Sequence, residues 1–294
     1  MSVTEKEIQH IEEKAEAIRE TIVNMLVAAG SGHTAGPLGM ADIFAAMYFH
    51  VLKHDPKNPD WEDRDRLILS NGHIVPVRYA AMAHAGYFPI EECLTLRKFG
   101  TRLQGHPERM RLPGLETTSG PLGSGLSQSA GMAYALKMAD SATQSGAASR
   151  KNHIYCAMSD GEHDAGNVWE AVLWAGKNKL GNLTAILDRN NIQIDGMTED
   201  IMPLEPLPEK YRAFNWHVIE VDGHNIAQFI AACDEAKAVT DKPTMIIAHT
   251  IPGKGVPEIE YDYHWHGKPP TKEEAARFLK EIRSMGGKVS NEYA

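Results

Sequence analysis

The run Ile154-Tyr155-Cys156-Ala157-Met158-Ser159-Asp160-Gly161-Glu162 decides how this chain folds. Apolar residues from Ile154 to Met158, in a run too short for an ordinary helix, predict a buried strand that opens into an acidic turn. A second run of the same kind, Leu183–Leu187, ends in Asp188-Arg189-Asn190-Asn191-Ile192, with a helical pattern over Val168–Ala175 between the two. Strands that are apolar throughout, rather than alternating, and that are joined through a helix belong to a parallel sheet covered on both faces.

Outward from this unit the alternation continues. Leu67–Ser70 reads as a short strand opening into Asn71-Gly72-His73, and His217–Val221 and Thr244–Ala248 read as strands around a helix at Ala227–Ala238. The first 29 residues carry apolar positions at Ile8, Ile11, Ala15, Ile18, Ile22, Met25 and Leu26, the spacing of one long amphipathic helix. Further helices are predicted over Met40–His50, Val75–Ala85, Ile90–Lys98, Gly125–Met138 and Lys272–Ile282. Loops are predicted at 55–66, 140–152 and 203–208, with a loose tail over 283–294. No linker divides the chain, so residues 1–294 read as one α/β domain with a mostly parallel central sheet and helices on both faces.

Lys plus Arg total 30 against 39 Asp plus Glu, a formal charge of −9 in 294 residues. That balance speaks against a nucleic-acid or anionic-membrane surface, which wants a cationic footprint. Cys93, Cys156 and Cys233 are far apart and odd in number, as expected of reduced thiols in a cytoplasmic protein. The charged, amphipathic start has no apolar signal core, and no stretch approaches a membrane span.

If the two strands are neighbours, Asp160 and Asn190 face one another beyond their C-terminal ends, where ligands of such sheets gather. A carboxylate, an amide oxygen and a backbone carbonyl form a hard oxygen set that suits Mg²⁺ or Ca²⁺ and leaves room for phosphate oxygens. Gly161 allows close approach of a diphosphate, and Gly166 precedes a helix N-terminus that adds donors. An Asp-Gly at a strand end is also an ordinary turn, and spacing alone leaves both readings open.

The aspartate-glycine turn followed thirty residues later by asparagine resembles the thiamine diphosphate signature, and five further stretches extend the likeness. Ser31-Gly32-His33-Thr34-Ala35-Gly36-Pro37-Leu38-Gly39, Asp65-Arg66-Leu67-Ile68-Leu69-Ser70-Asn71-Gly72-His73, Gln104-Gly105-His106-Pro107-Glu108, Thr118-Ser119-Gly120-Pro121-Leu122-Gly123-Ser124-Gly125 and Trp265-His266-Gly267-Lys268-Pro269 follow in order. Together they resemble the diphosphate-binding domain of transketolases. The resemblance implies that thiamine diphosphate and Mg²⁺ (or Ca²⁺) are bound, with Asp160, Asn190 and the Ile192 carbonyl on the metal. It implies that His33, His73, His106 and His266 are the catalytic imidazoles lining the channel. His33, His73, His266, Gly120, Leu122, Asp160, Gly161 and Asn190 would contact the cofactor. His10, His54, His84 and His217 match nothing in the family.

Transketolases continue into a pyrimidine-binding and a C-terminal domain, which supply a catalytic glutamate and most groups that hold the sugar phosphate. The resemblance therefore implies a second polypeptide carrying those domains, in an α2β2 assembly that transfers a two-carbon unit between sugar phosphates. Two positions depart from the family: Ser159 stands where a glycine is usual, and Ala165 where a glutamate links the active sites. The alternatives are a modified sugar substrate, a deoxyxylulose-phosphate-synthase-like reaction, and a non-catalytic regulatory subunit, the last motivated by Ala165.

Overall fold

The computed structural model describes residues 3–142 and 152–284. Helix α1 (Glu5–Ala29) begins at a capping box, in which Thr4 Oγ1 accepts from the Glu7 amide and the Glu7 carboxylate accepts from the Thr4 amide at 2.9 Å. It stops at Gly30, whose φ of 65° supplies the left-handed cap that a β-carbon would disfavour. Of its predicted apolar stripe, Ile11, Ala15, Ile18, Ile22, Met25 and Leu26 are buried and Ile8 is half-buried.

Helices α2 (Ala35–Gly39) and α3 (Ala41–Ala46) follow, the latter running into a π-turn over Met47–Val51. Strand β1 (Arg66–Leu69) leads through a 3₁₀ turn to α4 (Val75–His84), and α5 (Ser124–Ala142) precedes β2 (Ile154–Ser159). Then come α6 (Gly166–Lys177), β3 (Leu183–Arg189), a small hairpin of β4 (Ile192–Gln193) and β5 (Gly196–Met197), α7 (Thr198–Ile201) and α8 (Leu207–Ala213). Strand β6 (His217–Asp222), α9 (Ile226–Ala238), β7 (Thr244–His249) and α10 (Lys272–Ser284) complete the order.

The main sheet has the order β1-β2-β3-β7-β6, and every pair in it is parallel. Side chains alternate across it as the pleat requires. Tyr155, Ala157, Ile186, Ile246 and Ala248 join the core formed with α1, α3, α4, α9 and α10. Cys156, Met158, Ala185, Leu187 and Ile247 join the core formed with α5, α6 and α8. The parallel sheet with helices on both faces is thus the predicted fold.

Several boundaries differ from expectation. Gly36 and Pro37, a pair that in sequence reads as a break, are helical, because proline is tolerated in a first turn where no amide is needed. Residues 90–95 form 3₁₀ rather than α-helix. Strand β3 runs two residues past Leu187, since Asp188 and Arg189 stay in register with β7. The hairpin β4–β5 and the short helices α7 and α8 lie where the sequence predicts no strand or helix, as elements this short carry no readable period. Helix α5 extends to Ala142, into the predicted loop at 140–152, most of which lies outside the described residues, as does the tail beyond 284.

One buried charge cluster ties the helical layer to the sheet. The Arg19 guanidinium donates to the Asp42 carboxylate at 3.1 and 2.5 Å and to the Leu38 carbonyl. His224 Nδ1–H donates to Asp42 at 2.7 Å, while its Nε2 accepts from the Ile251 amide at 2.8 Å. Burial alone would push the Asp42 carboxyl up, but Arg19 and His224 outweigh it and hold the group well below the usual carboxylate range. This contribution to stability is therefore present at neutral pH and lost only in strong acid. Asp42→Asn leaves Arg19 without its counter-charge, and urea denaturation at pH 7 is expected to show a loss of about 3–5 kcal/mol.

Candidate active site

Parallel register brings the ends of β2 and β3 level, with Ser159 opposite Asp188. Asp160 and Asn190 therefore leave neighbouring strands side by side, both buried. Asp160 Oδ1 accepts from the Gly161 amide at 2.8 Å. Its Oδ2 accepts from the Asn191 amide at 2.8 Å, and from Thr198 Oγ1 and Arg189 Nη1 at 3.2 Å each. Arg189 also donates to Glu199 at 2.6 Å and Glu205 at 2.9 Å, which anchors the segment after the hairpin to the strand end.

Asp188 orients Asn190. Its carboxylate accepts from Asn190 Nδ2 at 2.8 Å and from the Thr250 hydroxyl, and burial pushes its carboxyl up to about 7. With Nδ2 so engaged, Asn190 Oδ1 is the acceptor end of the amide and meets the Ile192 amide at 3.0 Å. No three His, Cys, Asp or Glu side chains converge to hold a metal among the described residues. A cation here would accordingly rest on one carboxylate with amide and carbonyl oxygens, a donor set of the hardness Mg²⁺ or Ca²⁺ takes. These residues fit such an ion.

Three of the predicted histidines meet. The rings of His33 and His73 lie 4.9 Å apart between centroids, His73 and His266 5.1 Å, and His33 and His266 5.3 Å. They come from the loop after α1, the turn after β1 and the segment before α10. His106 stands slightly apart, lining an open cleft of about 600 Å³ with Ser31, Arg97, Gln104, Thr118 and Ser119. Gly120 lies against it, since a β-carbon there would come 3.6 Å from the His106 ring. Leu122 is exposed, two residues further along the same turn.

Burial lowers all four imidazoles, and their mutual proximity adds to the effect at His33 and His73. His33 falls to about 4, so it is neutral at pH 7. His33 Nδ1, both polar atoms of the Asn71 amide and Ser119 Oγ are buried and make no hydrogen bond among the described residues. Groups of this kind ordinarily have partners. Their presence beside the imidazoles and the Gly120 turn fits a polar ligand such as thiamine diphosphate.

Two residues of the site carry no recognisable signal in the sequence. Arg97 takes the left-handed conformation with φ of 60°, a strain of about 1–2 kcal/mol for an L-residue. Its guanidinium lies against Gly105, where a β-carbon would come within 2.6 Å of Nε, and it forms no ion pair among the described residues. Glu162 proves to be fully buried and turned inward, while Asp164 is exposed and accepts from Gln193 at 3.1 Å. Neither acid takes the place of a glutamate at position 165. Arg97 sits in the turn after the 3₁₀ helix and Glu162 in the 3₁₀ turn after β2, so nothing in their neighbours' pattern marks them.

The four histidines that match nothing in the family have local partners. His54 meets the Tyr48 carbonyl and Tyr87 hydroxyl, His84 meets Thr21, His217 meets Glu235, and His10 packs edge-on to Phe49.

Known proteins share this fold. The profile of the transketolase thiamine diphosphate binding domain matches residues 11–288, and the chain belongs to that family. It is 41% identical over 286 residues to a 6-deoxy-6-sulfo-D-fructose transketolase subunit from Clostridium sp. (strain MSTE9), covering 97% of this chain and all of that protein. It is 35% identical over 288 residues to an apulose-4-phosphate transketolase subunit of Phocaeicola vulgatus, covering 97% of this chain and 98% of that one. The transketolase of Leishmania mexicana superposes with a TM-score of 0.89 at 33% identity, covering 100% of this chain and 43% of its own. The chain thus spans nearly the full length of the two smaller relatives but less than half of the full-length transketolase.

Imidazoles with depressed pKa values bind fewer protons folded than unfolded. Stability is accordingly full above the ordinary value of 6.5 and falls as the pH drops toward 4, the folded value for His33. Urea unfolding at pH 7 and pH 5 is expected to show this loss, and His33→Gln to reduce it by on the order of 1–2 kcal/mol.

Proposed function

We propose that this chain is the thiamine diphosphate-binding subunit of a two-chain transketolase, which moves a two-carbon ketol unit from a ketose phosphate to an aldose phosphate. The observation that carries the reading is the meeting of His33, His73 and His266 from three separate loops, with His106 in the adjoining cleft. Residues 1–294 would then form one diphosphate-binding domain. Its partner would be a second polypeptide with the pyrimidine-binding and C-terminal domains, in an α2β2 assembly. Three buried free cysteines fit a reducing, cytoplasmic setting, and no helix among the described residues is long and apolar enough to cross a membrane.

In this reading Asp160, Asn190 and the Ile192 carbonyl hold Mg²⁺, and Gly161 leaves room for the diphosphate. Gly120 and Leu122 face the other end of the cofactor. When bound, thiamine diphosphate supplies the electron sink for breaking and remaking the carbon–carbon bond beside a ketose carbonyl. The chain's own residues place the sugar and move its protons. A neutral imidazole can accept a hydroxyl proton, as a protonated one cannot, and can return it to an alkoxide. His33, His73, His106 and His266 are kept in that state by burial. Arg97, at the cleft beside His106, is placed to attract an anionic sugar.

Two relatives favour a second reading of the substrate. One is named for a sulfonated ketose and the other for apulose 4-phosphate. A modified ketose with an anionic end would use the same imidazoles and the same arginine. The Ala165 departure does not favour a regulatory role, because the paired strand-end residues and the four histidines are all in place.

Co-expression with a chain carrying the two missing domains is expected to yield two-carbon transfer from xylulose 5-phosphate to ribose 5-phosphate, with no transfer by either chain alone. A cofactor-loaded complex that transfers from 6-deoxy-6-sulfofructose but not from xylulose 5-phosphate would replace the first substrate reading by the second. A loaded complex inactive on every ketose would sink the enzymatic reading. In the active complex Asp160→Ala is expected to abolish Mg²⁺-dependent cofactor binding, measured by calorimetry. Arg97→Gln should raise the KM for an anionic acceptor by about tenfold, with kcat changed less.

A further inference from the structure

Glu162 is a buried carboxylate with no cation beside it among the described residues, and all its partners are neutral donors. Its Oε1 accepts from Ser70 Oγ at 2.5 Å and from the Gly123 amide at 2.7 Å, and its Oε2 accepts from the Ser159 amide at 2.8 Å. Burial pushes its carboxyl up, and hydrogen bonding from Gly123, Ser70 and Ser159 pulls it part of the way back. An apolar or amide side chain would avoid the desolvation cost of several kcal/mol that a buried charge carries. A buried acceptor kept in such a place is explained by the donors it holds.

The three donors belong to three segments, each carrying part of the site. Ser70 directly follows β1 and leads into His73. Gly123 follows the Gly120–Leu122 turn. Ser159 ends β2 and precedes Asp160 and Gly161. The segments are pressed together as closely as backbone allows. A β-carbon on Gly125 would come 2.4 Å from the Ser70 side chain, and one on Gly72 would come 2.7 Å from Ser119 Oγ. Ser70 Oγ also accepts from the Gly125 amide at 3.1 Å, so that a continuous chain of hydrogen bonds runs from α5 to the end of β2.

We propose that Glu162 is a positioning residue that fixes the spacing between the Gly120–Leu122 turn and the Asp160–Gly161 turn, so that one carboxylate holds the two ends of the cofactor site in register. The inference deepens the cofactor reading above and rests on it. Glu162 touches neither metal nor cofactor in this scheme. It acts through Ser159 on the metal loop and through Gly123 on the opposite turn.

The test uses the full-length chain in three variants. Glu162→Gln keeps an acceptor for Ser70 and Gly123 but turns its NH₂ group toward the Ser159 N–H. Glu162→Ala removes every acceptor. Ile230→Ala, in α9 and remote from these loops, controls for loss of stability alone. Amide hydrogen exchange without cofactor is expected to accelerate by about tenfold or more at Ser159 in Glu162→Gln, and at both Ser159 and Gly123 in Glu162→Ala, relative to the control. Titration with thiamine diphosphate and Mg²⁺ should show the dissociation constant raised by about 10-fold to 100-fold in Glu162→Gln and unchanged in the control. Unaltered exchange at Ser159, or a dissociation constant that moves no more than in Ile230→Ala, would overturn the positioning role while leaving the cofactor reading intact. A wild-type chain that binds no thiamine diphosphate, alone or with its partner, would overturn the cofactor reading and this inference with it, whatever the exchange data show.

Discussion

Everything in the site depends on the parallel, in-register pairing of β2 with β3. Because Ser159 stands opposite Asp188, the residues that follow emerge at one level on one edge of the sheet. A slip of one residue would turn Asp160 or Asn190 to the other face of its strand. The apolar surfaces on both sides resist that slip. Cys156 and Met158 are committed to one core and Tyr155 and Ala157 to the other, and a shift would send each into the wrong layer. The geometry of a polar site is thus enforced by residues that never approach it.

The molecule handles buried ionisable groups in two contrasting ways. Asp42 is surrounded by Arg19 and His224, remains charged and joins helices to sheet. The histidine group has no counter-charge among the described residues and burial keeps it uncharged at neutral pH, the state that the proposed proton exchange would use. The first arrangement confers rigidity on the framework beneath the loops. The second keeps neutral imidazoles in the loops themselves.

The alternation of apolar runs with helical patterns is enough to specify the sheet, its parallel sense and the long capped helix α1. The convergence of His33, His73 and His266 is not open to the same reasoning, since no periodicity relates residues so distant along the chain; the resemblance to a family supplies it. Arg97 and Glu162 escape both routes. Arg97 owes its placement to a left-handed backbone conformation that arginine does not advertise. Glu162 looks in sequence like one more solvated acid after a turn, and only the depth at which that turn is buried gives it three donors. The hairpin β4–β5 is illegible because two-residue strands carry no pattern to read.

The hydrogen bonds around Glu162 are lopsided in a way that bears on how the site can change over generations. Two of its three donors, the amides of Gly123 and Ser159, belong to the main chain, so no substitution short of proline removes them. Losing the carboxylate leaves those amides buried and unmatched, and no neighbouring single change can spare them. Ser70 can vary at the expense of one bond. The acceptor cannot be abandoned piecemeal, so a lineage that has adopted it has few single steps away from it. Drift is freer at positions that only line the cleft, where an exchange leaves the scaffold undisturbed.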